Sequence, residues 1–199
     1  MLKIGITGGI GSGKTTVAQI FELLNVPVYY SDARGKWLLD HYEPLKNAVK
    51  ELFGTTVYDP ETDLLKRHEL AKLVFAKPLL LKQLDAIVHP TVAQDAALWN
   101  EKMLQQGIPY TLQESALIYE AKLYLRLDKV ITVFAPQEIR IQRVMNRNKW
   151  TREEVLQRIT QQIPDEEKKA KADFVIINDG EISLIQQCLN IHQKILALV

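Results

Sequence analysis

Near its start the chain carries the stretch GITGGIGSGKTT, residues 5–16, and no other segment restricts its fold as much. Within it, Gly8-x-x-x-x-Gly13-Lys14-Thr15 matches the Walker A pattern, in the context that pattern needs. Leu2–Thr7 is a short apolar run stopped by glycines and reads as a strand. Thr15–Leu24 spaces Val17, Ile20, Phe21 and Leu24 as the apolar face of a helix. Glycines in the connecting loop let backbone N–H groups converge on phosphate oxygens, and the helix N-terminus adds partial positive charge. Gly11, Ser12, Gly13 and Thr16 are therefore expected to cradle a polyphosphate. Lys14 is expected to contact its β- and γ-phosphates, and the Thr15 hydroxyl to ligate Mg²⁺. The plainer reading, a glycine-rich turn that binds nothing, leaves the in-phase Lys-Thr pair unexplained.

Strand, phosphate loop and helix in this order make one unit of a parallel α/β sheet, and the rest of the chain repeats the alternation. Val26–Tyr30 is a second strand candidate, followed by Ser31-Asp32, which can cap a helix. From residue 33 to about 106 the pattern is mostly helical, with GTTVYDPETDLLK as a loop inside it. Strand signals return at Tyr110–Gln113, Val130–Ala135 and Phe174–Ile177, and a final amphipathic helix follows. Residues 137–171 are charged and helical, broken at Asn148–Trp150 ahead of the capping signal Thr151-Arg-Glu-Glu154, and read as a mobile arm of two or three helices. Strands alternating with helices predict a parallel sheet covered on both faces. The chain's 199 residues suit one domain with appended subdomains.

A formal charge of +1 gives no whole-protein field for nucleic acid or a membrane surface, so any cationic function is local. Cys188 is the sole cysteine and lies in an apolar-periodic tail, which fits a buried core thiol in a reducing compartment. With neither a secretory leader nor an apolar run of about 18 residues, the expectation is a soluble, cytoplasmic protein. A monomer or weak homo-oligomer, free of nucleic acid and membrane, completes that picture. The Walker loop identifies only the phosphate donor. The nearest approach to a guanine-reading Asn-Lys-x-Asp segment, Asn148-Lys149-Trp150-Thr151, lacks the final Asp, and no apolar strand ends in the Asp-Glu of a motor ATPase. Glu114, after TLQ, can still orient Mg²⁺ through water.

Phosphoryl transfer also needs an acceptor hydroxyl held in line and a group to take its proton. Asp32 is placed for this, because ligands of open parallel sheets sit beyond the strands' carboxyl ends. A helix N-cap would explain the same residue without chemistry. Arg140, Arg143 and Arg147 share one helix face by their spacing. That stripe reads either as a solvated face paired with Glu138, Glu153 or Glu154, or as charges that close over a triphosphate, with Arg143 and Arg147 favoured for the second role. His89 precedes Pro90 inside the helical insertion, where a lone histidine is commonly just buried and hydrogen-bonded.

Six segments in order resemble the dephospho-coenzyme A kinase family. IGITGGIGSGKTTVA is similar to its opening, and VPVYYSDARGKWL to the strand whose Asp acts as base. LDAIVHPTV and ESALIYEA resemble its His-Pro and acidic elements; RIQRVMNRN with TREEVLQRITQQ resembles its lid, and KADFVIINDG its closing strand. The resemblance implies an α/β, three-layer P-loop kinase fold: a five-stranded parallel sheet (1–32, 107–136 and 172–199), a helical acceptor-binding insertion (33–106) and a helical lid (137–171). It implies transfer from ATP, with Mg²⁺, to the ribose 3′-hydroxyl of dephospho-coenzyme A. Asp32 would be base, Lys14 and Arg143 its catalytic partners, Arg147 a second lid charge, and Asn178–Gly180, with Asn178 and Gly180 as contacts, part of the adenine pocket. Lys36, Arg67, His89 and Glu114, with Asp32, are the acceptor-side candidates. The chain departs from the family at Tyr30, where an Asp is frequent, and at Lys36, where an Arg is common; Arg34 would compensate for the lost fork. Rival readings are a kinase for a nucleoside monophosphate or small alcohol, and a nucleotide switch or ATPase without an acceptor.

Overall fold

The N-terminal apolar run forms β1 (Leu2–Thr7), the middle strand of a five-stranded sheet in a computed structural model that describes residues 1–199, the side chains of residues 75, 76 and 78 excepted. Along the chain follow α1 (Lys14–Leu23), β2 (Val28–Tyr30), α2 (Ser31–His41), α3 (Glu43–Phe53), α4 (Arg67–Ala76) and α5 (Pro78–Gln105). Then come β3 (Tyr110–Glu114), β4 (Lys129–Phe134), α6 (Gln137–Asn148), α7 (Arg152–Ile159), α8 (Asp165–Lys171), β5 (Phe174–Ile177) and α9 (Leu184–Leu196). The order β2-β3-β1-β4-β5 is parallel throughout. The second strand is shorter than the apolar run Val26–Tyr30 suggests. Val26 N–H turns back to the Phe21 carbonyl at 3.1 Å, and Pro27 has no N–H to give the ladder.

Residues alternate across the strands, and the alternation makes three layers. Ile4 and Ile6 of β1 and Ile131 and Val133 of β4 face one side, where they bury with Phe21 of α1 and Ile191 and Ile195 of α9. Cys188 lies in that core, and burial pushes its thiol up to about 11. Val130 faces the other side with Ile118 and Tyr119, and Ile163 packs against them. On that same side Thr132 Oγ1 donates to the Lys168 carbonyl of α8 at 3.3 Å. The register brings Ile6, Glu114 and Tyr30 level, so β1, β3 and β2 end together. Chain direction across the sheet reverses beside β1, which is where such sheets open a ligand crevice.

The chain divides into two compact units, Met1–Tyr30 with Asn100–Val199, and Ser31–Trp99. The second has its own core, in which Leu38, Leu45, Val49, Tyr58, Leu70 and Val74 are buried. Its long helix α5 continues through Pro90, whose ring removes one ladder donor; next to it, Thr91 Oγ1 donates to the Ile87 carbonyl at 2.8 Å. Among the described residues no helix is long and apolar enough to cross a membrane.

Candidate active site

The phosphate loop owes its shape to glycines at two points. Gly13 has φ 89°, and a Cβ there would stand 2.2 Å from Asn178 Nδ2. Gly11 has φ 80°, and a Cβ there would stand 2.5 Å from the Arg140 carbonyl, so α6 rests its backbone directly on the loop. Gly13 is also the N-cap of α1; no side chain caps this end and no acid occupies its first turn. The opening N–H groups of α1 are thereby left to an anion, with the helix dipole behind them. A cavity of about 200 Å³ opens there, lined by Gly9–Gly11, Gly13–Thr16, Arg143 and Arg147. Ser12 is buried beneath, its carbonyl accepting from Asn178 Nδ2 at 2.8 Å.

Glu114 touches two of the residues that line this cavity. It is 3% exposed at the carboxyl end of β3, and one of its oxygens, Oε1, meets Lys14 Nζ at 3.2 Å and accepts from Thr15 Oγ1 at 3.3 Å. A carboxylate, a hydroxyl and incoming phosphate oxygens are the hard donors that Mg²⁺ takes, so this donor set fits that ion. The structure thus gathers Glu114 with Lys14 and Thr15, on the donor side, whereas the sequence reading also placed it among the acceptor contacts.

The arginine stripe separates into three environments. Arg143 donates twice to Asn178, and Arg147 lines the cavity while its Nε donates to Asn148 Oδ1 at 2.8 Å. Arg140 is buried, and desolvation holds its pKa below the usual guanidinium range. None of the three pairs with Glu138, which instead meets Arg152 through two bonds of 2.8 and 2.6 Å and is held below the ordinary carboxylate range by it. Asn178 spends both ends of its amide inside the protein, on Ser12 and Arg143. Gly180, with φ 96°, sits in the exposed turn that follows.

The acceptor-side candidates lie in the other unit. Asp32 is exposed in the first turn of α2, two residues beyond the end of β2. Arg67 pairs with Asp40 and donates to the Lys36 carbonyl at 3.0 Å; the Lys36 side chain is exposed. Arg34 holds Asp95 through bonds of 2.7 and 2.9 Å, and its guanidinium lies 4.1 Å from the Trp37 ring centroid. His89 stands 3.7 Å from Asp85 one turn earlier on α5. Tyr30 turns to α1, donating to Glu22 at 2.9 Å, and burial raises its pKa, with Glu22 adding to the effect. Gln162 ends the segment TREEVLQRITQQ, whose closing glutamine belongs to the resemblance without a role attached to it; it accepts from Ile10 N–H of the phosphate loop at 2.9 Å.

A Walker loop on the middle strand of a five-stranded parallel sheet, with arginines lining its cavity, defines a P-loop nucleotide-binding protein. The chain belongs to the dephospho-CoA kinase family, whose model matches residues 2–183. A dephospho-CoA kinase from Bacteroides fragilis is 36% identical over 198 residues, 98% of this chain and 95% of its own. A Thermus thermophilus protein of known crystal structure superposes with a TM-score of 0.83 at 37% identity, covering 97% of this chain and 96% of that one. The structure of a dephospho-CoA kinase from Campylobacter jejuni gives 0.68 at 27% identity, over 98% and 97%.

Proposed function

We propose that this chain phosphorylates dephospho-coenzyme A with ATP, at the 3′-hydroxyl of the ribose, in coenzyme A biosynthesis. Family membership over nearly the whole chain supports the activity, and the Lys14–Thr15–Glu114 cluster at the cavity supports the donor half of the site. The N–H groups at the start of α1 and the Lys14 ammonium bind the phosphates, and Arg143 and Arg147 offset charge developing on the transferred group. Thr15 and Glu114 hold Mg²⁺, which when bound neutralises phosphate charge and orients the leaving group. Asp32 takes the proton of the attacking hydroxyl as the new O–P bond forms and the bond to the ADP oxygen breaks.

In this reading residues 33–106 hold the acceptor, with Lys36, Arg67 and His89 as contacts, 137–171 act as lid, and the sheet with its remaining helices binds nucleotide. Asn178 serves the adenine side by shaping the wall rather than by reading the base with its amide. The acceptor is a small molecule, and the work is done in the cytoplasm.

The deciding experiment incubates the protein with MgATP and dephospho-coenzyme A and looks by mass spectrometry for one added phosphoryl group. No product there, beside turnover of a nucleoside monophosphate or a sugar, would overturn the acceptor assignment. ATP hydrolysis without any acceptor would point to a nucleotide switch.

A further inference from the structure

The peptide between Ile10 and Gly11 is gripped from outside the phosphate loop. Ser12 N–H donates to the Gly9 carbonyl at 3.0 Å and closes a four-residue turn with Ile10 and Gly11 at its centre. Gly11 takes φ 80°, the positive value that a type II turn requires at its third position. Types I and II differ chiefly in which way the central peptide faces. Here the carbonyl of that peptide, on Ile10, accepts from Arg140 Nε at 2.9 Å. The Gly11 N–H points the opposite way across the planar trans peptide, away from Arg140. On the other flank, Ile10 N–H donates to Gln162 Oε1 at 2.9 Å, and the Ile10 side chain packs against the cluster of Ile141, Val144 and Val155.

The grip is itself anchored. Arg140 forms an ion pair with Asp165, the first residue of α8. Fully buried Lys168 pins the same helix to Glu120 at 2.9 Å and to the Ala116 carbonyl at 3.2 Å, two residues past Glu114. A buried pair of this kind is weak grounds for stability and better grounds for a fixed geometry.

We infer that Gln162 and Arg140 are positioning residues for the phosphate grip: Gln162 fixes the Gly9–Ile10 peptide through its N–H and Arg140 the Ile10–Gly11 peptide through its carbonyl, so that a backbone donor, and not a carbonyl, faces the phosphates. They touch no reacting atom. A flipped peptide would present a carbonyl dipole to an anion, which weakens binding through the loop alone. The inference rests on the kinase reading only in taking the anion to be a nucleotide's phosphates.

The test uses the whole chain without any acceptor. Gln162→Met keeps length and removes the hydrogen-bond acceptor, Gln162→Glu keeps the acceptor, and Asp165→Asn slackens Arg140. MgADP affinity is measured by calorimetry, with amide hydrogen exchange at Ile10 and Gly11 and the melting temperature alongside. Gln162→Met is expected to bind MgADP about 5- to 10-fold more weakly, the scale of one lost hydrogen bond, with faster exchange at Ile10 and an unchanged melting temperature. Asp165→Asn is expected to shift affinity in the same direction, and Gln162→Glu to recover the protection. Unchanged affinity in Gln162→Met and Asp165→Asn, or an affinity loss that only follows a fall in melting temperature, overturns the inference. A wild-type protein that binds MgADP but leaves dephospho-coenzyme A untouched would refute the acceptor assignment and leave this result standing.

Discussion

Arg143 and Asn178 are joined twice: Nη1 donates to the Asn178 carbonyl at 3.1 Å and Nη2 to its Oδ1 at 3.2 Å. The same asparagine donates from Nδ2 to Ser12, and its own N–H donates to the Phe134 carbonyl at 2.7 Å. One residue at the end of β5 therefore ties Arg143 of α6 to Ser12 of the phosphate loop. Asn178→Ala removes the two side-chain bonds and leaves the Ser12 carbonyl buried without its donor. The expected cost is about 1–3 kcal/mol in urea unfolding. A rise in KM for ATP should accompany it, with KM for the acceptor unchanged; equal rises in both would mean that the clamp does not serve the nucleotide.

Glu114 presents one oxygen to both Lys14 and Thr15. Glu114→Gln keeps the shape and an accepting oxygen but removes the charge that a divalent cation needs. The Mg²⁺ concentration for half-maximal activity should rise by about 10- to 100-fold, the range seen when the shell around a metal is altered. Titrating Mg²⁺ at saturating substrates measures this directly, and a variant with the parent's Mg²⁺ dependence would remove Glu114 from the metal's surroundings.

Asp32 carries the acceptor half of the proposal. Asp32→Asn preserves size and the place in the first turn of α2 but cannot take a proton at neutral pH. Turnover should fall by about 10²- to 10⁴-fold while ATP affinity stays close to the parent's. Single-turnover kinetics beside ATP titration separates the two quantities, and a fully active variant would leave Asp32 as a helix-terminal acid only.

What could be read in the sequence was what depends on neighbours along the chain. The Walker loop, the strands and the capping box at Thr151–Glu154 are local patterns. The box appears as expected, with Glu154 N–H donating to Thr151 Oγ1 at 3.2 Å and Thr151 N–H to Glu154 Oε2 at 2.7 Å. Spacing also put Arg140, Arg143 and Arg147 on one helix face, but spacing carries no information about what that face meets. Arg140 reaches Ile10 across 130 positions and Gln162 reaches it across 152, so their partners come from the fold alone. The departures at Tyr30 and Lys36 were visible as residue types. That the Tyr30 phenol bonds to Glu22, and that the Lys36 side chain is left exposed, were not.

His192 gives the protein an acid sensitivity whose sign follows from its burial. It lies on α9 with Nδ1 2.6 Å from the Tyr110 hydroxyl, and burial lowers its pKa below the ordinary histidine value. The unfolded chain therefore takes up this proton at a higher pH than the folded one does. Between the two pKa values the unfolded state binds more protons, so stability rises with pH across that interval and falls as the solution is acidified below about 6.5. Above that pH both states hold a neutral imidazole and the contribution is constant. Asp59 and Asp179, held low by backbone N–H donors, add a second loss that begins only as pH falls through the carboxylate range. Replacing His192 by Phe removes the titrating ring while filling most of its space. The variant's melting temperature should stay nearly level from pH 7 to pH 5, where the parent's declines. A decline of equal slope in both proteins would assign the acid sensitivity to other groups.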